Sequence, residues 1–256
     1  MAKTNALLGY VDHVSRAGTV LSTNSEVDGL GVGNLATLSP QEVWRSATGA
    51  TRWVRSDFGA PVEVGVVCLA LPRSGVQLRS GDTVTAAFDN DTPGAGALGV
   101  AVMIDADYGY WWLAPETPIV ARYLQISIVS SLPYVQAGRL WVGPACRPDW
   151  NFDYDWSREW ADDGKTTRAP KSGRRFRDPG PRYRKVTVAF NAASSADSDA
   201  FEEGDRVVGA IGQMLLCTSP DTPRRRVLLG TPTEVSAITQ PSFPIFSKPY
   251  TIEEDL

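Results

Sequence analysis

RLWVGPACRPDWNFDYDWSREWADD, residues 139–163, divides the chain into two unlike halves. The strand-like run from Arg139 to Val142 stops at Gly143-Pro144, where proline offers no N–H to a ladder. An aromatic cluster follows: Trp150, Phe152, Tyr154, Trp156 and Trp160, interleaved with Asp149, Asp153, Asp155 and Glu159. The charge then reverses. Between Lys165 and Lys185, nine bases (Lys165, Arg168, Lys171, Arg174, Arg175, Arg177, Arg182, Arg184, Lys185) stand against one acid, Asp178. An aromatic joint with an acidic and a basic arm is expected where domains or subunits meet.

Working outward, 256 residues suffice for one large all-β domain or two smaller ones. An apolar fraction of 43% and a charged fraction of 21% fit a globular chain. No apolar run approaches the roughly 18–20 residues of a membrane span, which predicts no membrane insertion. The N-terminal MAKTNALLGYVDH has no long apolar core or small-residue cleavage site, so no signal peptide is expected. Cys68, Cys146 and Cys217 are widely spaced and read as buried thiols of a cytoplasmically made protein. A net charge of −4 argues against general nucleic-acid binding.

Before the joint, dispersed glycines and prolines punctuate short extended segments. Val43–Ser46 and Arg52–Phe58 alternate apolar and polar side chains, the latter stopping at Gly59-Ala60-Pro61, and Trp44 and Trp53 read as core. Val62–Leu71 is more continuously apolar, as for a strand covered on both faces. Thr83–Phe88, Leu98–Ile104, Tyr110–Leu113, Arg122–Ile128 and Tyr134–Val142 follow. About eight strands at roughly ten-residue spacing predict an antiparallel β-sandwich over residues 1–145. Residues 1–35 either belong to it or supply a strand to the second unit.

Residues 146–256 read as a smaller α+β unit, with 146–185 as its charge-segregated linker. The spacing predicts a strand at Tyr183–Phe190, then a helix running to about Gln213, with several possible N-caps in Ser194–Asp199 and Asp199/Glu202 resembling a capping box. Strands are expected at Met214–Cys217, Arg226–Leu229 and Thr233–Ile238, then a Pro-rich tail from Pro241 to Pro249. The fold class is therefore mainly β, a sandwich plus an α+β unit.

Chemistry is sparse. The single histidine, His13, lies outside any nucleophile-elbow sequence, and Cys and His form no metal-ligand spacing. Asp149 does not open an EF-hand loop, because Tyr154 and Trp160 occupy the positions of the required Gly and Glu. Asp89-Asn90-Asp91 and Asp105-Ala106-Asp107 read as Asx turns. Gly29–Asn34 has alternate glycines and is not a nucleotide loop. Tryptophans beside acids suit sugar stacking. The expectation is a binding or structural protein, not an enzyme, without metal or cofactor.

Two resemblances add to this. Trp44-Arg45-Ser46, Asp57-Phe58-Gly59 before Val62–Val67, Ala121–Ile126 and Gly138–Gly143 follow the order found in discoidin-type, galactose-binding-like sandwiches, whose architecture is a jelly roll. Gly143-Pro144, Asn151–Tyr154, Trp156–Trp160, Ser172–Phe176 and Gly180–Arg184 resemble minor tail proteins of long, non-contractile-tailed bacteriophages. That resemblance implies a virion component near the tail tip, of distal-tail type, in a ring joining tube and adsorption apparatus.

The expected partners are thus the chain itself, in a hexameric or trimeric ring, the tail tube and the tail-tip hub. A host-surface glycan bound by an adhesion module is the alternative. Asp153, Asp155, Glu159, Arg174, Arg175, Arg177, Arg182 and Arg184 are the expected assembly interface. Trp150, Phe152, Trp156 and Trp160 are the expected packing core between the halves.

Overall fold

The computed structural model describes residues 5–49, 51–72, 82–103, 109–220 and 226–255. An outer antiparallel sheet runs β2 (Val20–Thr23), β4 (Thr51–Val64), β9 (Ile119–Val129), β6 (Thr83–Asp89), β7 (Gly99–Met103). A middle sheet runs β11 (Arg139–Gly143), β5 (Val66–Ala70), β8 (Tyr110–Leu113), and β3 (Trp44–Arg45) pairs with β10 (Gln136–Ala137). The third sheet runs β1 (Leu7–Gly9), β16 (Met214–Cys217), β17 (Val227–Pro232), β19 (Ile245–Glu254), β15 (Arg182–Ala193), β12 (Ser157–Asp162). On β19 sits β18 (Thr239–Ser242), while β13 (Lys165–Arg168) and β14 (Arg175–Asp178) form a hairpin of their own. Helix α1 (Ser195–Val208) packs on the third sheet.

Side-chain alternation explains this layering. Val67, Leu69, Trp111, Leu140 and Val142 face the outer sheet's Val54, Leu124, Ile126 and Ile128. Their strand neighbours Val66, Cys68, Ala70, Tyr110, Trp112 and Trp141 face the other way, onto Leu7, Leu215, Cys217, Val227 and Leu229. The opposite face of the third sheet gives Leu8, Leu216, Leu228, Val188, Phe190 and Ile252, which meet Phe201 and Val208 of α1. The continuous apolar run at β5 is thus a strand with no solvent face.

Two expected strand limits move. Val62–Leu71 is not one strand, because the chain passes from the outer to the middle sheet at Gly65. A Cβ there would sit 2.5 Å from the Ala145 nitrogen, so only glycine fits. Gly59-Ala60-Pro61, by contrast, does not end β4. It is a bulge between Asp57 and Val62, with Gly59 at φ +77° and its N–H on the Asp57 carboxylate. Trp44 is core, but Trp53 is half-buried under the Arg55 guanidinium, 4.5 Å from its ring. Arg52 takes the inward position instead, donating to the carbonyls of Ser130, Leu132 and Pro133.

The N-terminal segment is shared between the halves: β1 pairs with β16, and β2 with β4. In the second half, β15, α1, β16 and β17 lie where the spacing puts them. The capping box is Ser194/Asp197 rather than Asp199/Glu202, and the helix stops at Gly209, φ +58°, short of Gln213. Gly204, unfavourable for a helix in isolation, lets the Tyr10 ring approach: an added Cβ would lie 3.0 Å from it. Thr233–Ile238 forms no regular strand, and the supposed Pro-rich tail is a hairpin whose second strand, β19, lies inside the third sheet.

Charge inside the sheet is why β19 lacks an apolar pattern. The inward positions of β19 are Lys248, Tyr250, Ile252 and Glu254, so two of four carry charge. Lys248 donates to the Asp205 carboxylate and the Ser236 carbonyl. Glu254 accepts from Arg184 Nη2 at 2.5 Å, Arg184 Nε at 3.0 Å and the Tyr110 hydroxyl at 3.1 Å. The last contact ties the middle sheet to the third. Glu254→Ala should lower the unfolding free energy by about 3–5 kcal/mol, since it strands a buried guanidinium. Urea unfolding at neutral pH checks this; a loss of under about 1 kcal/mol would match an exposed pair instead.

Candidate functional site

The basic segment forms an arm. Strands β12 and β15 pair from Ser157↔Thr187 to Asp162↔Arg182, and the ladder is then interrupted where Gly164 and Gly180 lie against each other. A Cβ on Gly180 would lie 2.5 Å from the Gly164 nitrogen, so this close approach requires bare backbone. Beyond it, β13 and β14 pair from Lys165↔Asp178 to Arg168↔Arg175, with every strand residue exposed. The tip closes through the Gly173 N–H on the Ala169 carbonyl, with Gly173 at φ +66°.

Directly opposed residues share a face of a ribbon. One face of the arm therefore carries Thr166, Arg168, Arg175 and Arg177; the other carries Lys165, Thr167, Phe176 and Asp178. The first holds three guanidinium groups and no carboxylate. Arg168 lies directly opposite Arg175, an arrangement that weakens a ladder. Among the described residues, none of these three arginines makes an ion pair. A two-stranded hairpin without a core is marginal in water. Folding of the single chain does not account for this arm.

The remaining expected interface residues divide. Arg184 is buried against Glu254 and leaves the list. Acid and base runs are not on opposite sides: Glu159 lies opposite Lys185, and Asp162 opposite Arg182, with a 3.4 Å ion pair. Charge is segregated only beyond Asp163. Asp153 accepts from the Asn191 amide, whereas Asp155 and Arg174 are exposed.

The aromatics need a larger correction. Phe152 and Trp156 are half-buried, edge to face at 5.7 Å, and Phe152 meets Phe190 at 6.0 Å. They extend the core beneath α1 rather than the junction between halves. Trp150 and Trp160 are 68% and 60% exposed. The junction uses Cys68, Trp112, Trp141 and Leu215, with Arg139 donating to Asp12 at 2.5 Å and to Gln213 and the Leu35 carbonyl at 3.3 Å. Its signal in the sequence was the doubly apolar character of β5, β8 and β11.

Two clefts flank the arm's root and the joint. One, of about 690 Å³, is lined by Asp163, Glu253 and Asp255, with exposed Leu38 and Ile211 beside them. Burial pushes the Asp255 carboxyl above its usual range, although Gln213 and Thr231 donate to it. The other, of about 490 Å³, is lined by Trp150, Phe152, Tyr154 and Trp156 with Asp153 and Arg226. Elsewhere, His13 is buried edge-on to Phe58, and burial lowers its pKa. Backbone N–H groups of Asp91, Thr92 and Ala97 occupy the Asp89 carboxylate, as an Asx turn requires. Ile104 and Asp105-Ala106-Asp107 lie outside the described residues.

No family model matches the chain, and no curated protein matches it. Solved structures similar to it include the lectin domain of lectinolysin complexed with Lewis b antigen, at 15% identity and TM-score 0.45, covering 52% of this chain and 97% of that one. A Streptococcus pneumoniae fucose-binding module is similar at 11% identity and TM-score 0.44, over 52% and 95%. A family 32 carbohydrate-binding module from Clostridium perfringens NanJ, in complex with galactose, matches at 11% and 0.42, over 53% and 98%. At these identities and scores the likeness does not extend to function.

The corrected placement of the aromatics is checkable. Trp156→Ala should cost about 2–4 kcal/mol, somewhat under a fully buried tryptophan, and Trp150→Ala should stay within about 0.5 kcal/mol. Chemical denaturation of both variants decides; equal losses would contradict the placement.

Proposed function

We propose that the chain is a non-enzymatic structural subunit that joins copies of itself head to tail through its basic arm, and that the assembly is a ring at a bacteriophage tail tip. The observation that carries the head-to-tail reading is the coreless, exposed arm with Arg168, Arg175 and Arg177 on one face. Residues 164–180 hold six bases and one acid; with that +5 set aside from the chain's −4, the remainder carries −9. A second copy therefore supplies the counter-charge.

The acidic cleft at Asp163, Glu253 and Asp255 is the acceptor of this proposal. Asp163 and Asp255 suit the guanidinium face, Glu253 being already paired with Lys185 at 3.0 Å, and exposed Leu38 and Ile211 suit Phe176 on the opposite face of the ribbon. Arm into cleft is a heterologous contact, which closes into a ring when the rotation allows. The virion setting rests on the resemblance of residues 143–184 to minor tail proteins, with tail tube and tail-tip hub as neighbours.

Sedimentation velocity over a concentration series tests the association. The wild-type chain should self-associate, more weakly as salt rises. The triple variant R168E/R175E/R177E should bind itself at least about tenfold more weakly with unchanged circular dichroism and melting. A variant that associates like the wild type, or a wild type that stays monomeric at every concentration, overturns the proposal.

A further inference from the structure

We infer that the aromatic cleft at the joint is a saccharide-binding site for uncharged pyranose chains, separate from the arm and from the sandwich. Two of its rings contribute little to folding: Trp150 is 68% exposed and Tyr154 wholly so. They are nevertheless held on a fixed loop. The Asn151 side chain accepts the Ala6 N–H at 3.0 Å, and Asn5 donates to the Pro148 and Asp149 carbonyls at 3.0 and 2.9 Å. The Asp153 N–H reaches the Ala189 carbonyl at 2.9 Å, and its carboxylate accepts from Asn191. Presenting exposed rings from a pinned loop removes much of the ordering cost that binding would otherwise carry.

The floor is equally set. Phe152 packs edge-on to Trp156, and the Arg226 guanidinium lies 5.5 Å over the Trp156 ring. A cleft of about 490 Å³ falls within the roughly 300–1,000 Å³ typical of small-ligand sites. Aromatic faces accept the C–H faces of pyranose rings, while a carboxylate and a guanidinium accept and donate to hydroxyls. Among the described residues, the lining holds one acid and one base, Asp153 and Arg226. Nucleobases also stack on such rings. The chain's net charge of −4, however, disfavours a phosphate chain. An uncharged sugar meets both conditions.

The test titrates the full chain with cellopentaose, chitopentaose and maltopentaose, up to about 10 mM, a range that covers millimolar affinity. Tryptophan fluorescence and saturation-transfer NMR are the readouts, with a thymidine decanucleotide as the anionic comparison. At least one pentaose should bind saturably and the decanucleotide should not. Trp150→Ala and Tyr154→Ala should each weaken binding roughly tenfold, about 1.4 kcal/mol. R168E/R175E/R177E should bind the sugar like the wild type, which separates this site from arm-mediated assembly. The inference is overturned if no pentaose saturates, if the decanucleotide binds as well, or if sugar binding survives both aromatic substitutions.

Discussion

Three short strands with no face left for water hold this protein together. In β5, β8 and β11, one set of side chains fills the sandwich while the alternate set packs on the third sheet. Each large apolar side chain so buried contributes roughly 1.5–3 kcal/mol, and here successive apolar residues contribute to opposite faces. Sliding the third sheet off the middle one would expose Trp112 and Trp141 and break the Tyr110–Glu254 contact. The two halves are therefore layers of one stack, and the 146–163 segment does not act as a hinge core between them.

From that constraint follows where function can reside. The middle sheet is spent on packing, and the third sheet is covered by α1 on its other face. Among the described residues, the arm at 164–180 is a hairpin whose strand residues are all exposed, and the 148–154 loop displays two large exposed rings, Trp150 and Tyr154. Both spring from the stretch between β11 and β15. The first resembles an assembly element in its charge, the second a ligand platform in its chemistry.

Much of this was legible in the residues, and the exceptions have physical reasons. Apolar alternation gave most strands of the sandwich and the unbroken character of β5. It failed at β19, where Lys248 and Glu254 occupy inward positions because Asp205 and Arg184 neutralise them. Charge in a sequence does not announce its partner. For the same reason Arg184 read as surface although it is buried, and Arg52 read as the outward neighbour of Trp53 although the reverse holds. The aromatic cluster was visible as a cluster, but which rings turn inward depends on Phe190 and Phe201, some forty residues away in the chain.

The basic arm as an element completed only by a second molecule is the central claim. Hydrogen exchange of the Lys165–Asp178 amides, measured from dilute to concentrated protein, tests it most directly. The account predicts rapid exchange in the dilute monomer and protection that grows with association, while β5 and β11 stay protected throughout. Protection of the arm in the dilute monomer, or none in the associated protein, would contradict it.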